Sequence, residues 1–110
     1  MGFGEAAPYT VLVSLAQLRY FVVVAEEEHL GRAAERLHMA QPPLTRQIRA
    51  LEDELGVKLF ERTPRGMELR EPGRALLPRA KQVLVDVDAL ARDVRERTVG
   101  PSLPAPPRYP

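Results

Sequence analysis

The sequence predicts a mainly α fold: three short helices and a two-stranded hairpin, followed by one long helix. Three observations carry that expectation. Apolar residues recur at steps of three and four in four separate stretches between Leu15 and Val94, the period of a helix with one buried face. Thr63-Pro64-Arg65-Gly66 supplies turn chemistry between two short runs of mixed apolar and charged residues. The 110 residues are 45% hydrophobic, 28% charged and only 5% aromatic, which suits one modest helical core and excludes the usual multidomain enzyme.

In the first helix Leu15, Leu18, Phe21, Val22 and Ala25 share a face. A second, short helix repeats the pattern with Leu30, Ala33, Ala34 and Leu37, and Gly31 stands as a weak N-cap. Only His38, Met39 and Ala40 separate it from a third, which opens on Gln41-Pro42-Pro43. There the fixed φ of proline fits, because the first amides of a helix have no internal partner. Leu44, Ile48, Leu51 and Leu55 form its inward stripe, and Gly56 suits a left-handed C-cap. Residues 58–62 and 67–70 flank the turn as the two hairpin strands. From about Pro72, Leu76, Ala80, Val83, Val87, Leu90 and Val94 follow at alternating steps of four and three, a heptad seam. Pro78 lies inside this helix and is expected to cost a hydrogen bond and to bend it. An apolar helical stripe is more often core than interface, but the small domain before it has limited surface to cover so long a helix. The seam is therefore read as a dimerisation surface.

The chain divides accordingly. Residues 1–12 form an N-terminal extension expected to be disordered, 13–70 the folded domain, 71–98 the linker or dimerisation helix, and 99–110 a tail rich in proline. Sixteen Lys plus Arg against fifteen Asp plus Glu leave a formal charge of +1, so any affinity for nucleic acid must come from where the charges sit. With no Cys, disulfides, thiolate zinc sites and thiol nucleophiles are excluded, and a cytoplasmic location is the default. No segment reads as a signal peptide or a membrane span. His29 and His38 lack the spacing of metal ligands, each reading as a structural or surface residue, and Glu26-Glu27-Glu28 has no accompanying nucleophile. No catalytic residue, metal or cofactor is expected.

Helix, short turn, helix and hairpin together describe a winged helix-turn-helix, with residues 30–49 as the motif and its second helix entering the DNA major groove. If Leu44, Ile48 and Leu51 face inward, Pro42, Thr45, Arg46 and Arg49 face outward. Gln41 pairs with adenine, Arg46 or Arg49 with guanine, and Thr45 reaches a base edge or a thymine methyl. The helix start also offers free amides to a phosphate. Between Leu30 and Leu51, Arg32, Arg36, Arg46 and Arg49 stand against Glu35 alone, whereas acid is gathered in Glu26-Glu27-Glu28 and Glu52-Asp53-Glu54. Arg32, Arg62 and Arg65 are the expected phosphate ligands, with Arg65 at the wing tip able to enter a narrow minor groove.

Over Leu15 to about Thr98 the sequence resembles the LysR-type transcriptional regulators. The residues that carry the resemblance are Leu18-Arg19-Tyr20-Phe21, Arg32-Ala33-Ala34-Glu35-Arg36-Leu37-His38, Gln41-Pro42-Pro43-Leu44-Thr45-Arg46-Gln47-Ile48, Leu51-Glu52, Glu54-Leu55-Gly56 and Leu59-Phe60-Glu61-Arg62. The resemblance implies DNA contacts from Gln41, Pro42, Pro43, Thr45 and Arg46 on the recognition helix and from Arg65 on the wing, with the long helix pairing in a homodimer. Gly31 and Ala40 replace the hydroxyl residues common in the family, and Arg70 replaces a capping Thr, so the long helix is expected to start loosely. Family members continue into an inducer-sensing domain of roughly two hundred residues; this sequence holds no such domain and no small-molecule inducer site.

Outward arginines alone are usually a solvated face. The short turn, the Gln-Pro-Pro start and the family resemblance turn the reading toward DNA. The expected function is sequence-specific transcriptional regulation, by the chain or as an inducer-blind DNA-binding fragment, reading an inverted repeat as a dimer. The alternative is a protein-interaction module that forms mixed dimers with full-length regulators through the 76–94 seam.

Overall fold

The computed structural model describes residues 11–97. Six elements follow in order: α1 (Leu15–Glu27), α2 (Leu30–Arg36), α3 (Gln41–Leu55), β1 (Phe60–Thr63), β2 (Gly66–Leu69) and α4 (Glu71–Arg97). The opening decapeptide and the Pro-rich tail lie outside the described residues. Residues 11 and 12 were assigned to the extension; the backbone N–H of Leu12 donates to Glu54 Oε2 at 2.8 Å.

A reciprocal cap opens α1: Ser14 Oγ accepts from the Gln17 backbone at 3.0 Å and Gln17 Oε1 from the Ser14 backbone at 3.1 Å. Beyond that first turn the helix is covered on more than one side, by α2 and α3 and by α4. Leu18, Phe21, Val22, Val23, Val24 and Ala25 are all buried as a result. Leu15 is not; as the first helical residue it precedes the packed turns and stays 43% exposed.

Gly31 is not the cap of α2. His29, extended at φ −158°, holds that position and its Nδ1 accepts from the Arg32 backbone at 3.2 Å. Leu37 ends the helix as its C-cap, half-buried against the core. His38 then takes a left-handed φ of 56° and the Met39 N–H returns to the Ala34 carbonyl at 2.9 Å, which closes the tight connection to α3.

In α3 the inward stripe is Leu44, Ile48 and Leu51. Leu55 does not join it: it is the last helical residue, 37% exposed, and the chain turns away at the left-handed Gly56 before anything covers it. The buried place one turn after Ile48 goes to Glu52, whose Oε2 accepts the backbone N–H groups of Leu59 at 2.8 Å and Phe60 at 3.3 Å. A buried carboxylate needs such donors, and here they belong to the chain entering the hairpin.

The hairpin is antiparallel, with Phe60 opposite Leu69 and Thr63 opposite Gly66. Its strands are four residues each, and the residues at 58 and 59 lead into β1 rather than belonging to it. Phe60 brings its ring to 5.4 Å from that of Phe21, tilted by 50°, an edge-on aromatic contact that ties the wing to α1. Burial of Phe21, Leu44, Leu51 and Leu59 contributes about 1.5–3 kcal/mol for each side chain.

The start of α4 is held, contrary to the loose beginning expected from Arg70. The Arg70 N–H donates to the Leu59 carbonyl at 2.9 Å and the Arg70 carbonyl accepts from the Arg74 N–H at 2.9 Å. Arg74 Nη1 also reaches the Leu69 carbonyl at 2.8 Å. Pro78 sits within the helix without ending it. The heptad seam divides into two. Ala80 is 1% exposed inside the core, and Leu76 packs partly against it beside Leu77 and Leu84. Val83, Leu90 and Val94 are 40%, 60% and 50% exposed. The first half of the seam therefore holds α4 onto its own domain, and only the second half offers a face to anything else.

Candidate nucleic-acid interface

The packing of α3 decides which of its side chains meet solvent. With Leu44, Ile48 and Leu51 inward, Gln41, Pro42, Arg46 and Arg49 are exposed and Pro43 and Thr45 half-exposed. The wing lies alongside. Its position is fixed by the Met67 N–H donating to the Glu28 carbonyl at 3.0 Å and by the Phe60 ring. Thr63 Oγ1 shapes the turn, accepting from the Arg65 N–H and donating to the Gly66 carbonyl, each at 3.1 Å.

Two clefts result. One is walled by His29, Gly31 and Gln41 on the helical side and by Arg62, Thr63, Arg65 and Gly66 on the wing. The other runs between α3 and the hairpin, bringing Thr45 and Arg49 together with Lys58, Arg62 and Arg70. Gln41, Thr45, Arg49, Arg62 and Arg65 thus converge on the junction of recognition helix and wing. Arg32 stands apart on α2, where its Nη2 donates to the Glu27 carbonyl at 3.2 Å.

The pairing of the arginines separates them by use. Among the described residues the side chains of Arg46, Arg49 and Arg62 make no ion pair and no hydrogen bond. Arg65 has only an exposed contact with Glu68 at 3.3 Å, a contact of the kind worth little in water. Arg36, counted in sequence with the local basic excess, is spent instead on Glu26 at 2.9 Å and Glu27 at 3.2 Å. Lys81 adds a third cation, 3.3 Å from Glu26. The Arg36 guanidinium, and after it Lys81, hold the Glu26 carboxyl below its ordinary value of 4.5. Acid and base are neutralised where α1, α2 and α4 meet, while the outer face of α3 keeps its positive charge unspent.

The start of α3 gives less to an anion than its sequence position suggests. Pro42 and Pro43 carry no N–H, and that of Leu44 turns back to the Ala40 carbonyl at 3.4 Å. Recognition there falls to side chains. Sequence reasoning missed Lys58, Arg70 and His29 as walls of the two clefts. The first two flank the strands, where only the fold shows the side to which they turn; His29 carries no spacing signal at all.

Among the described residues no helix is long and apolar enough to cross a membrane. Residues 15–74 match the family described as bacterial regulatory helix-turn-helix protein, lysR family. The chain is 52% identical over 80 residues to the HTH-type transcriptional regulator TfdT of Cupriavidus pinatubonensis (strain JMP 134 / LMG 1197), covering 73% of this chain and 35% of that protein. It is 60% identical over 68 residues to the HTH-type transcriptional regulator ClcR of Pseudomonas putida, covering 62% of this chain and 23% of that protein. The chain therefore spans about a third or less of the length of these curated relatives. Among solved structures, the CbnR DNA-binding domain in complex with DNA superposes with a TM-score of 0.76 at 43% identity, covering 78% of this chain and 99% of that one.

Proposed function

Because the chain belongs to the lysR family of bacterial regulatory helix-turn-helix proteins, we propose that it binds double-stranded DNA and reads its sequence as a transcriptional regulator. The observation that carries this reading is the open face of α3 and the wing. Gln41 and Thr45, which can address base edges, stand there with Arg46, Arg49 and Arg62, whose charges no acid of the described residues neutralises. Gln41, Pro42, Pro43, Thr45, Arg46 and Arg49 enter the major groove. Arg65 takes the adjacent minor groove, and Arg32 and Arg62 hold backbone phosphates. None of this is catalysis; the work of the chain is recognition.

Dimerisation follows from α4. The exposed strip of Val83, Leu90 and Val94, continued by the half-buried Val87, pairs with the same strip of a second copy. Two recognition helices then address successive major grooves about 34 Å apart, which suits an inverted-repeat operator. The same strip also supports a second reading, mixed dimers with longer regulators of the family. Weighing complexes formed with such a relative separates the two, since a strip that pairs only with its own copy gives homodimers alone.

The test of DNA binding is a salt titration. Affinity for a duplex falls linearly on a log–log scale with a slope of about 0.9 for each phosphate neutralised. Arg32→Ala and Arg62→Ala each flatten that slope by about one contact. A chain that fails to bind duplex at low salt overturns the proposal.

A further inference from the structure

We infer that His29 is a further DNA-contacting residue, its Nε2–H donating to a backbone phosphate oxygen at the lip of the cleft between α2 and the wing. The inference rests on the DNA-reading function proposed above. Three features of the fold place it. His29 Nδ1 accepts the Arg32 N–H at 3.2 Å, so in the neutral ring the proton sits on Nε2, the nitrogen on the other side of the imidazole. That nitrogen has no partner among the described residues, and the side chain lines the same cleft as Gln41 and Arg65. The donor is the imidazole itself, since the Arg32 amide is already spent on it.

Gly31 keeps this arrangement open. A Cβ there would stand 3.0 Å from His29 Cε1 and 3.4 Å from Gln41 Nε2, so the bare backbone lets a base-reading amide and a phosphate-holding imidazole sit side by side. Opposite them the wing is pinned by Met67 to the Glu28 carbonyl, one residue before His29, so the two walls of the cleft cannot drift apart independently. His29 therefore fixes how far the backbone lies from Gln41, and Gln41 reads the base.

Two variants separate the nitrogens. His29→Asn keeps an acceptor at the place of Nδ1 and reaches no further; His29→Gln offers an N–H near the place of Nε2 and abandons the cap. Each is titrated against the duplex that the wild-type chain selects from a random library and against a random duplex, with Tm measured alongside. His29→Asn is expected to keep its Tm and lose roughly tenfold in affinity on both duplexes. His29→Gln is expected to melt earlier and, at a temperature where it is folded, to bind more tightly than His29→Asn. Wild-type affinity in His29→Asn, or a loss confined to the selected duplex, overturns the inference while leaving DNA reading intact. A wild-type chain that binds no duplex removes the function proposed above instead.

Discussion

The backbone N–H of Met67 donates to the carbonyl of Glu28 at 3.0 Å. One hydrogen bond thus fastens the wing to the turn between α1 and α2, a few residues from the recognition helix. It exists because Gly66, at φ +128°, lets the strand approach: a Cβ at that position would be driven into the Glu28 carbonyl.

Gly66→Ala is therefore expected to destabilise the domain by about 1–3 kcal/mol, the scale of a forced left-handed backbone together with a steric conflict. Urea denaturation measures the loss. Amide exchange should place it at Met67 and the hairpin; protection unchanged at Met67 would contradict the role given to this contact.

Glu52 binds the other end of the hairpin, through Leu59 and Phe60. Glu52→Ala leaves two buried N–H groups without an acceptor and is expected to cost about 2–5 kcal/mol, at 1–3 kcal/mol for each stranded group with partial relief by water. Glu52→Gln retains one acceptor oxygen and should lose less. Equal losses in thermal melts of the two variants would show that the acceptor is not what matters.

Glu26 joins α1 to α2 and α4 through Arg36 and Lys81. Its folded pKa lies below the unfolded one, so the unfolded chain binds the proton more readily. The stabilisation is present above about pH 4.5 and is lost as the pH falls through the lower, folded value. Glu26→Gln should be less stable than wild type near neutrality and converge with it under acid. Parallel curves of stability against pH would contradict the pairing.

Base reading and phosphate holding separate by substitution. Gln41→Ala and Arg46→Ala are each expected to cost about 1–3 kcal/mol on a selected duplex and to relax base preference. Arg32→Ala should weaken selected and random duplexes alike. Equal losses from Gln41→Ala on both duplexes would refute its role at the base edge.

How much of this was legible in the sequence depended on whether the determinant was local. The stripe of Leu44, Ile48 and Leu51 and the left-handed Gly56 follow from helical period and cap chemistry, and the structure places them there. Leu15 and Leu55 fit the same period, yet they sit where their helices outrun the packing, which spacing alone does not reveal. Ala80 shows the converse: a heptad pattern announces a buried stripe without saying what buries it, and here the domain's own core takes the first half. Charge was the least readable. Arg36 and Arg49 look alike in the sequence, but Arg36 faces two carboxylates across a helix junction and Arg49 faces none. His29 caps α2 in place of the usual hydroxyl or carboxamide residue, so only its backbone conformation and the Arg32 amide identify it.

The central claim is that the α3 face reads sequence and that α4 pairs two copies. Selection of bound duplexes from a random DNA library, with the 110-residue chain near physiological salt, tests both at once. The account predicts a two-fold symmetric motif whose half-sites lie about one helical turn apart. A single unrepeated half-site would contradict the dimer, and recovery of no motif at all would contradict base reading by Gln41, Thr45 and Arg46.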